Sequence, residues 1–484
     1  MNALKGYRIF LALICLTLAL VLTVGNVNAS QIQQPETDFA AIDTYIQDQM
    51  NNLDIPGMAM GIIQDGQIAH LQGFGVADSA GRAITPQTPF YIGSVTKSFT
   101  ALAVMQLVED DKIDLDATVQ TYLPWFTLVD KEASARITVR HLLNQSTGIA
   151  EKDGNQVWAS QLGLEERVHQ LDMIKLSHPV GSTYEYCNLN YMIAGLIIEK
   201  ASGQSYADYV NENIFEPLNM SHSYASREPA LADGLAQGHI YMFGRVFSDD
   251  GPMPPANLPA GTLIASVEDL SRYAIAHLNE GRYLDISITS PQGMAELHAP
   301  AISQGGEQYY AMGWNVGKAD GISYLVHAGD AGRNHAIVIL MPDRNSGLIL
   351  LANASGFVQS EQVNDIGREI FYLLNGKPAV PVTLPLSLQL QYGGLILTPL
   401  FQILGIVFVW RKRQHINALG FLLTIILNLA VVFSLFGFSL SRMPLPSMLV
   451  FDPDIGYDLV IIAVLGIGWS VIFTVTFLMR QRLK

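Results

Sequence analysis

The chain has 484 residues, 49% of them hydrophobic, and its 28 basic and 43 acidic residues give a formal charge of −15. Nine of those basic and three of those acidic residues lie outside 30–380, which leaves 19 against 40 within it, a net of −21. A surface of that sign excludes binding of nucleic acid or of anionic lipid headgroups through charge, and the apolar excess sits at the two ends, so the chain divides before it is read.

Residues 1–29 have the form of an export signal. Lys5 and Arg8 open it, Ile9 to Val24 is an apolar run, and "VNA" at Val27 to Ala29 offers small residues for cleavage. An uncleaved anchor is the other reading, and either one puts the following domain outside the cytoplasm. Removal of the signal leaves Cys187 as the one cysteine, so no internal disulfide is expected.

Residues 30–380 are long enough for a large core, in two lobes. "FAAIDTYIQDQMNNLDI" (39–55) has apolar residues at helical spacing. "GMAMGIIQDGQIAHLQGFGVADSAG" then alternates and carries turn signals, which predicts antiparallel strands. "SVTKSFTALAVMQLV" follows as a helix that is apolar nearly all round. The region 137–240 reads as mostly helical, most clearly at "NYMIAGLIIEKASG", which Gly203 ends. From about 308 strands return in "YYAMGWNV", "ISYLVHAG", "HAIVILMPD" and "SGLILLANA", before a closing helix, "SEQVNDIGREIFYLLNG". Strands at both ends around a helical middle predict an α+β fold: an antiparallel sheet flanked by helices, with an inserted helical lobe.

A Pro-rich segment, "KPAVPVTLPL" (377–386), and a linker placed at 381–389 lead to a membrane domain at 390–484. Three apolar stretches are expected to span, at about 390–410, 416–440 and 459–479, each near the 20 residues a membrane helix needs. "RKRQH" (411–415) joins the first two and "RQRLK" (480–484) ends the chain, whereas Asp452, Asp454 and Asp458 lie between the second and third. Basic loops stay cytoplasmic, so this pattern predicts a multi-pass protein of the cell membrane with 30–380 on the extracytoplasmic side.

Three places hold residues capable of chemistry. Ser94 and Lys97 are three apart, so on a helix they share a face. A serine needs a nearby base to attack, and a buried lysine can be one. A helix N-cap followed by a surface lysine is the competing reading, but a lysine in so apolar a helix is an unusual buried charge. Tyr186 and Asn188, in "STYEYCNLNYM", could relay a proton and hold an amide; equally, Asn188 or Asn190 could cap the helix that follows. His327 and Gly329 end a strand, where a His could face a cleft or simply lie in a surface turn. G-x-S-x-G, H-E-x-x-H, Walker and dinucleotide motifs are absent, and the histidines are scattered. No metal and no cofactor are therefore expected.

"SVTK" (94–97), "YCN" (186–188) and "HAG" (327–329), with "ITVRHLLNQSTGI", "PVGSTYEYCNLNY" and "PAGTLIASVEDLSRYAIAHLNEG" between and around them, resemble the serine β-lactamase and penicillin-binding protein superfamily. The similarity is greater to its class C branch, with its DD-peptidases, D-aminopeptidases and esterases, and it spans about 38–376. The resemblance implies Ser94 as nucleophile, Lys97 and Tyr186 sharing the proton transfers, Asn188 binding a substrate amide, and His327 in place of the third-motif lysine. It further implies an oxyanion held by the backbone N–H groups of Ser94 and Asp330, just after Gly329. A His at 327 disfavours a dedicated β-lactamase, because an imidazole is largely neutral at pH 7. The Asp330 carboxylate is expected beside the oxyanion position, where it would repel anionic substrates.

The function these features imply is a membrane-anchored serine hydrolase acting by acyl transfer on D-amino-acid peptides, peptidoglycan-derived ones among them, or on small esters and amides. A class C-type β-lactamase is the alternative within the family. A non-catalytic sensor or partner-binding module, with a membrane-protein partner, is the rival outside it; the short cytoplasmic segments weigh against signalling, and the two spans beyond a single anchor weigh for it.

Overall fold

The computed structural model describes residues 37–482, except 156–160, 252, 385 and most of 413–451. The signal at 1–29 and most of the expected span at 416–440 lie outside the described residues.

Helix α1 (Phe39–Leu53) starts on Asp38, whose carboxylate accepts the Ala41 N–H, and stops at Asp54 in the left-handed region. Strands β1 (Gly57–Gln64) and β2 (Gln67–Gly75) pair antiparallel through the tight turn at Asp65–Gly66. The remaining strands of the sheet come from the other end of the domain: β3 (Ile302–Gly305), β4 (Gln308–Tyr310), β5 (Asn315–Ala319), β6 (Ile322–Ala331), β7 (Asn334–Met341) and β8 (Ser346–Ala352). Their order is β2-β1-β8-β7-β6-β5-β4-β3, antiparallel throughout. Pairing of β1 with β8 closes the two ends of the domain on each other, as the strand pattern predicts.

The sheet has two covered faces, and side-chain alternation decides which residue meets which cover. Met58, Met60, Ile62, Ile337, Ile339, Leu348 and Leu350 point to one face, against α1 and the closing helix α5 (Phe357–Leu374). Ala59, Ile63, Ala336, Val338, Leu340, Ile349 and Leu351 point to the other. There they meet α2 (Thr96–Glu109), α3 (Asn188–Ser202) and α4 (Val267–Leu278). Helix α3 is buried on nearly every side and ends on Gly203 in the left-handed conformation. Sequence periodicity misses a small edge sheet, in which the hairpin 239–248 pairs in parallel with Ala354–Ser355.

The segment after α5 stays on the domain. Tyr45 donates to the Val380 carbonyl, Val380 N–H to Glu369 and Val382 N–H to Gln49. Helix α6 (Leu386–Lys412) follows, then α7 (Pro453–Arg482). Among the described residues one helix is long and apolar enough to cross a membrane, at Pro453–Met479, and Gly393–Phe408 within α6 is a shorter apolar stretch. The two pack together, Gln402 donating to Ile462 O (3.1 Å), and Asn428 donates to Gly466 O (2.7 Å). A bundle of three spanning helices is not established among the described residues.

The central position of Leu350, fully buried between α1 and α5, makes it a probe of this core. Leu350→Ala is expected to cost about 2–5 kcal/mol in urea unfolding of the whole chain in detergent; a loss under about 1 kcal/mol contradicts the packing described.

Candidate active site

Ser94 lies in a single 3₁₀ turn, Gly93–Val95, just ahead of α2, and Val95 rather than Ser94 occupies the N-cap position. No side-chain cap bond forms at either start. The serine is thus at a helix start without serving as its cap. Lys97 is in the first turn of α2, and because that helix is buried all round, its ammonium end never reaches water: it is 0% exposed.

Three oxygens surround Lys97 Nζ: Ser94 Oγ at 2.9 Å, Asn188 Oδ1 at 2.7 Å and Ala260 O at 2.6 Å. No carboxylate is among them. The Tyr186 ring lies below, 4.7 Å from Nζ to its centroid, and the Tyr191 ring is at 5.7 Å. Burial without a counter-ion pushes the Lys97 pKa well below the usual amine range. All three oxygens are placed to accept from Nζ; on loss of the proton two N–H bonds, to Asn188 and Ala260, would remain and the lone pair would turn to the Ser94 hydroxyl.

Tyr186 OH donates to Ser94 Oγ at 2.7 Å, and burial pushes its pKa well above the usual phenol value. Ser94 Oγ therefore sits between an amine whose charged form burial disfavours and a phenol whose protonated form burial favours. The loop that carries Tyr186 is held from beneath by a buried amide: Gln145 Oε1 accepts both Cys187 N–H (3.0 Å) and Asn190 Nδ2 (2.6 Å), and Thr147 donates to Asn190 Oδ1. Neither asparagine caps α3; Cys187 is at the N-cap position, with no side-chain cap bond. Its thiol is buried and raised to about 12, so it is no nucleophile.

His327 is 3% exposed, and burial holds its pKa down at about 3. Its Nδ1 donates to the Ala328 carbonyl (2.8 Å), and its Nε2 accepts from Tyr310 OH (3.3 Å). Position 327 thus presents a neutral imidazole whose two nitrogens are both engaged. Arg333, in the turn that follows β6, is tied to Asp249 at 2.7 Å.

The strand β6 passes the nucleophile backbone to backbone. A Cβ on Gly329 would collide with the Ser94 nitrogen, and one on Gly93, whose φ is +52°, would collide with Gly329 and with the Asp330 nitrogen. The main chains of 93–94 and 329–330 are thereby adjacent, as a two-donor oxyanion pocket requires. The Asp330 side chain departs from expectation. Strand alternation sends Val326, Ala328 and Asp330 to the α5 face and leaves His327 and Gly329 on the Ser94 face. The carboxylate is bound there by His335 and Ser360, so it does not flank the oxyanion position.

Two contributors escape sequence reasoning. Ala260 acts through its carbonyl, which any residue type would supply, so side-chain chemistry carries no signal for it. Tyr310, in "YYAMGW", is the partner of His327, and only the pairing of β4 with β5 and of β5 with β6 brings the two together.

A beta-lactamase family model matches residues 42–370. The chain is similar to Protein flp of Staphylococcus aureus, at 27% identity over 342 residues (68% of this chain, 66% of flp, so the chain spans just under two thirds of that relative's length). It is 28% identical over 341 residues to penicillin-binding protein 4 of Amycolatopsis lactamdurans, covering 66% of this chain and 86% of that protein. The same identity relates it to an unguisins hydrolase of Aspergillus campestris, over 66% of this chain and 62% of the hydrolase. Among solved structures, the octameric penicillin-binding protein homologue of Pyrococcus abyssi superposes with a TM-score of 0.62 at 29% identity, over 70% of this chain and 78% of that one.

The close approach of the two backbones generates a sharp expectation. Gly329→Ala drives a methyl group into the Ser94 nitrogen, so fluorophosphonate labelling of Ser94 should fall at least about tenfold while far-UV circular dichroism is unchanged. Labelling at the wild-type rate contradicts the described geometry.

Proposed function

The chain belongs to the beta-lactamase family, and on that premise we propose that it is a serine hydrolase that works through an acyl-enzyme on Ser94. The observation that carries this reading is the uncompensated burial of Lys97 against Ser94 Oγ. As Oγ attacks a substrate carbonyl, its proton passes to the neutral Lys97 Nζ, and the carbonyl oxygen takes up the negative charge. The Ser94 and Asp330 N–H groups receive that oxyanion. Tyr186, still protonated, stands at Ser94 Oγ to give its proton to the departing amine or alcohol. Asn188 Oδ1 orients Lys97 and leaves its amide N–H groups for a substrate carbonyl. Water then attacks the acyl-enzyme by the same route in reverse.

The substrate class follows from what position 327 lacks. A neutral, doubly engaged imidazole offers no ion pair to a substrate carboxylate. This favours esters, amides and D-aminopeptidase-like substrates with no carboxylate next to the scissile bond over DD-carboxypeptidase substrates and β-lactams. A hydrolase and a penicillin-binding protein are both among the relatives by name.

The C-terminal helices support a membrane anchor, with Pro453–Met479 as a spanning segment. "RKRQH" and "RQRLK" at one end of the apolar segments, and Asp452 with Asp454 and Asp458 of the first turns of Pro453–Met479 at the other, favour a multi-pass arrangement with the catalytic domain outside the cytoplasm and with 1–29 as its export signal.

Intact mass spectrometry of the detergent-solubilised chain tests the reading. p-Nitrophenyl esters or D-alanine p-nitroanilide are expected to leave a transient acyl adduct that Ser94→Ala abolishes, with kcat/KM at least about tenfold above that for nitrocefin. The acylation rate should fall as pH is lowered, because protonating Lys97 removes the base. Adduct formation in Ser94→Ala rejects the nucleophile, nitrocefin as the better substrate identifies a β-lactamase, and no turnover of any of these favours a binding module.

A further inference from the structure

Behind the oxyanion strand, on the face away from Ser94, lies a set of polar side chains that the reaction does not touch. Asp330 on β6 and His335 on β7 are directly paired across the strands, and His335 Nδ1 meets Asp330 Oδ1 at 2.9 Å. Ser360 Oγ, in the first turn of α5, donates to the same carboxylate oxygen. His335 Nε2 lies 2.8 Å from Asn364 Oδ1, one helical turn further along α5. His335 is 1% exposed. The hairpin between the strands is a two-residue turn, Gly332–Arg333, with φ of +54° and +56° at the two positions, a geometry that fixes register tightly.

This arrangement is more than burial requires. An apolar pair would pack under α5 at no polar cost, as Val326 and Ala328 do on the same strand. Instead, a carboxylate is held from two directions, by a neighbouring strand and by a helix, at the residue whose backbone nitrogen adjoins Gly93. Only two torsions, χ1 and χ2, separate the carboxylate from Cα, so a carboxylate held from two directions on one face restrains the Cα and, with the paired strand, the aim of the N–H towards the other. An oxyanion donor is effective only within a few tenths of an ångström of its correct place.

We propose that His335 and Ser360 are positioning residues that act through the Asp330 carboxylate to hold the Asp330 backbone N–H on the developing oxyanion. The proposal rests on the acyl-enzyme reading above. It gives Asp330 two separate duties: its N–H meets the reacting oxygen, and its side chain anchors that N–H from behind. The charged groups acting on His335 are Asp330 on β6 and Glu361 on α5. Burial opposes the charged imidazole, but these carboxylates and the hydrogen bonds to Asp330 and Asn364 outweigh it and raise the His335 pKa.

Steady-state kinetics on a p-nitrophenyl ester, with the full chain in detergent, tests this. Asp330→Ala is expected to lower kcat about tenfold with KM within about twofold, because an oxyanion contact is made in the transition state and not in the ground state. Asp330→Asn, which still accepts from Ser360 and His335, should recover most of kcat. Ser360→Ala removes one anchor without leaving an unpaired charge, so it reads out the same effect if Asp330→Ala does not fold; its kcat should fall about threefold at an unchanged melting temperature. Wild-type kcat in folded Asp330→Ala or Ser360→Ala, equal losses in kcat/KM through KM, or no recovery in Asp330→Asn overturns the proposal and leaves the hydrolase reading standing. A wild type that turns over no ester and takes no fluorophosphonate overturns both.

Discussion

A lysine amine sealed from water, with three oxygens around it and no carboxylate, is the constraint on which the site depends. Burying an ammonium without a counter-ion is costly, and that burial drives the pKa of Lys97 well down, towards the neutral amine. The fold meets the conditions for this from separate places. Helix α2 is apolar on all sides, which puts Lys97 inside. The start of α3 supplies Asn188, and the turn at 258–261 supplies the Ala260 carbonyl. On a neutral amine two N–H bonds would remain, for Asn188 and Ala260, and Ser94 Oγ would then donate to the lone pair. In the proposed reaction, the burial that favours a neutral Lys97 would thereby orient the Ser94 hydroxyl towards it. Tyr186 completes the set from the opposite sense: an acid in the same dry pocket is held protonated, and it points at the same oxygen.

The second constraint is backbone proximity. Gly93 and Gly329 are where two segments far apart in sequence, the turn ahead of α2 and the strand β6, pass without room for a side chain. Strand alternation then divides labour across β6. His327 and Gly329 look towards the nucleophile, and Asp330 looks back towards α5. The helix that closes the domain in sequence thus lies behind β6, and the pairing of β1 with β8 holds the two halves of the sheet in register.

Much of this was legible in the residues. Alternation and turn signals locate β1 and β2, the strand-like stretches after about 308 locate β6 to β8, and an all-round apolar helix gives away a buried Lys97. The separation of Ser94, Tyr186 and Asn188 over 90 residues was not bridgeable by local pattern; the ordered set of short motifs made that link. What was missed has physical reasons. The contribution of Ala260 is a main-chain carbonyl, which residue identity does not encode. Adjacency of Asp330 to Gly329 in sequence suggests a carboxylate on the Ser94 side, whereas in a strand one residue further along means the opposite face. Tyr310 and His335 meet their partners through sheet pairing, which no window of sequence contains. At the C-terminus, hydropathy identifies apolar segments readily, and one of them forms a helix of spanning length among the described residues.

The central claim is that Lys97 is a neutral amine in the resting protein, and the most direct test is a pH titration of the lysine Nζ groups by NMR in the isotopically labelled chain, with Lys97→Met to assign the signal. The account predicts one lysine that titrates well below all the others, is uncharged at neutral pH and is lost in Lys97→Met. A Lys97 signal that stays charged until the other lysines deprotonate would contradict it and leave Ser94 without a base.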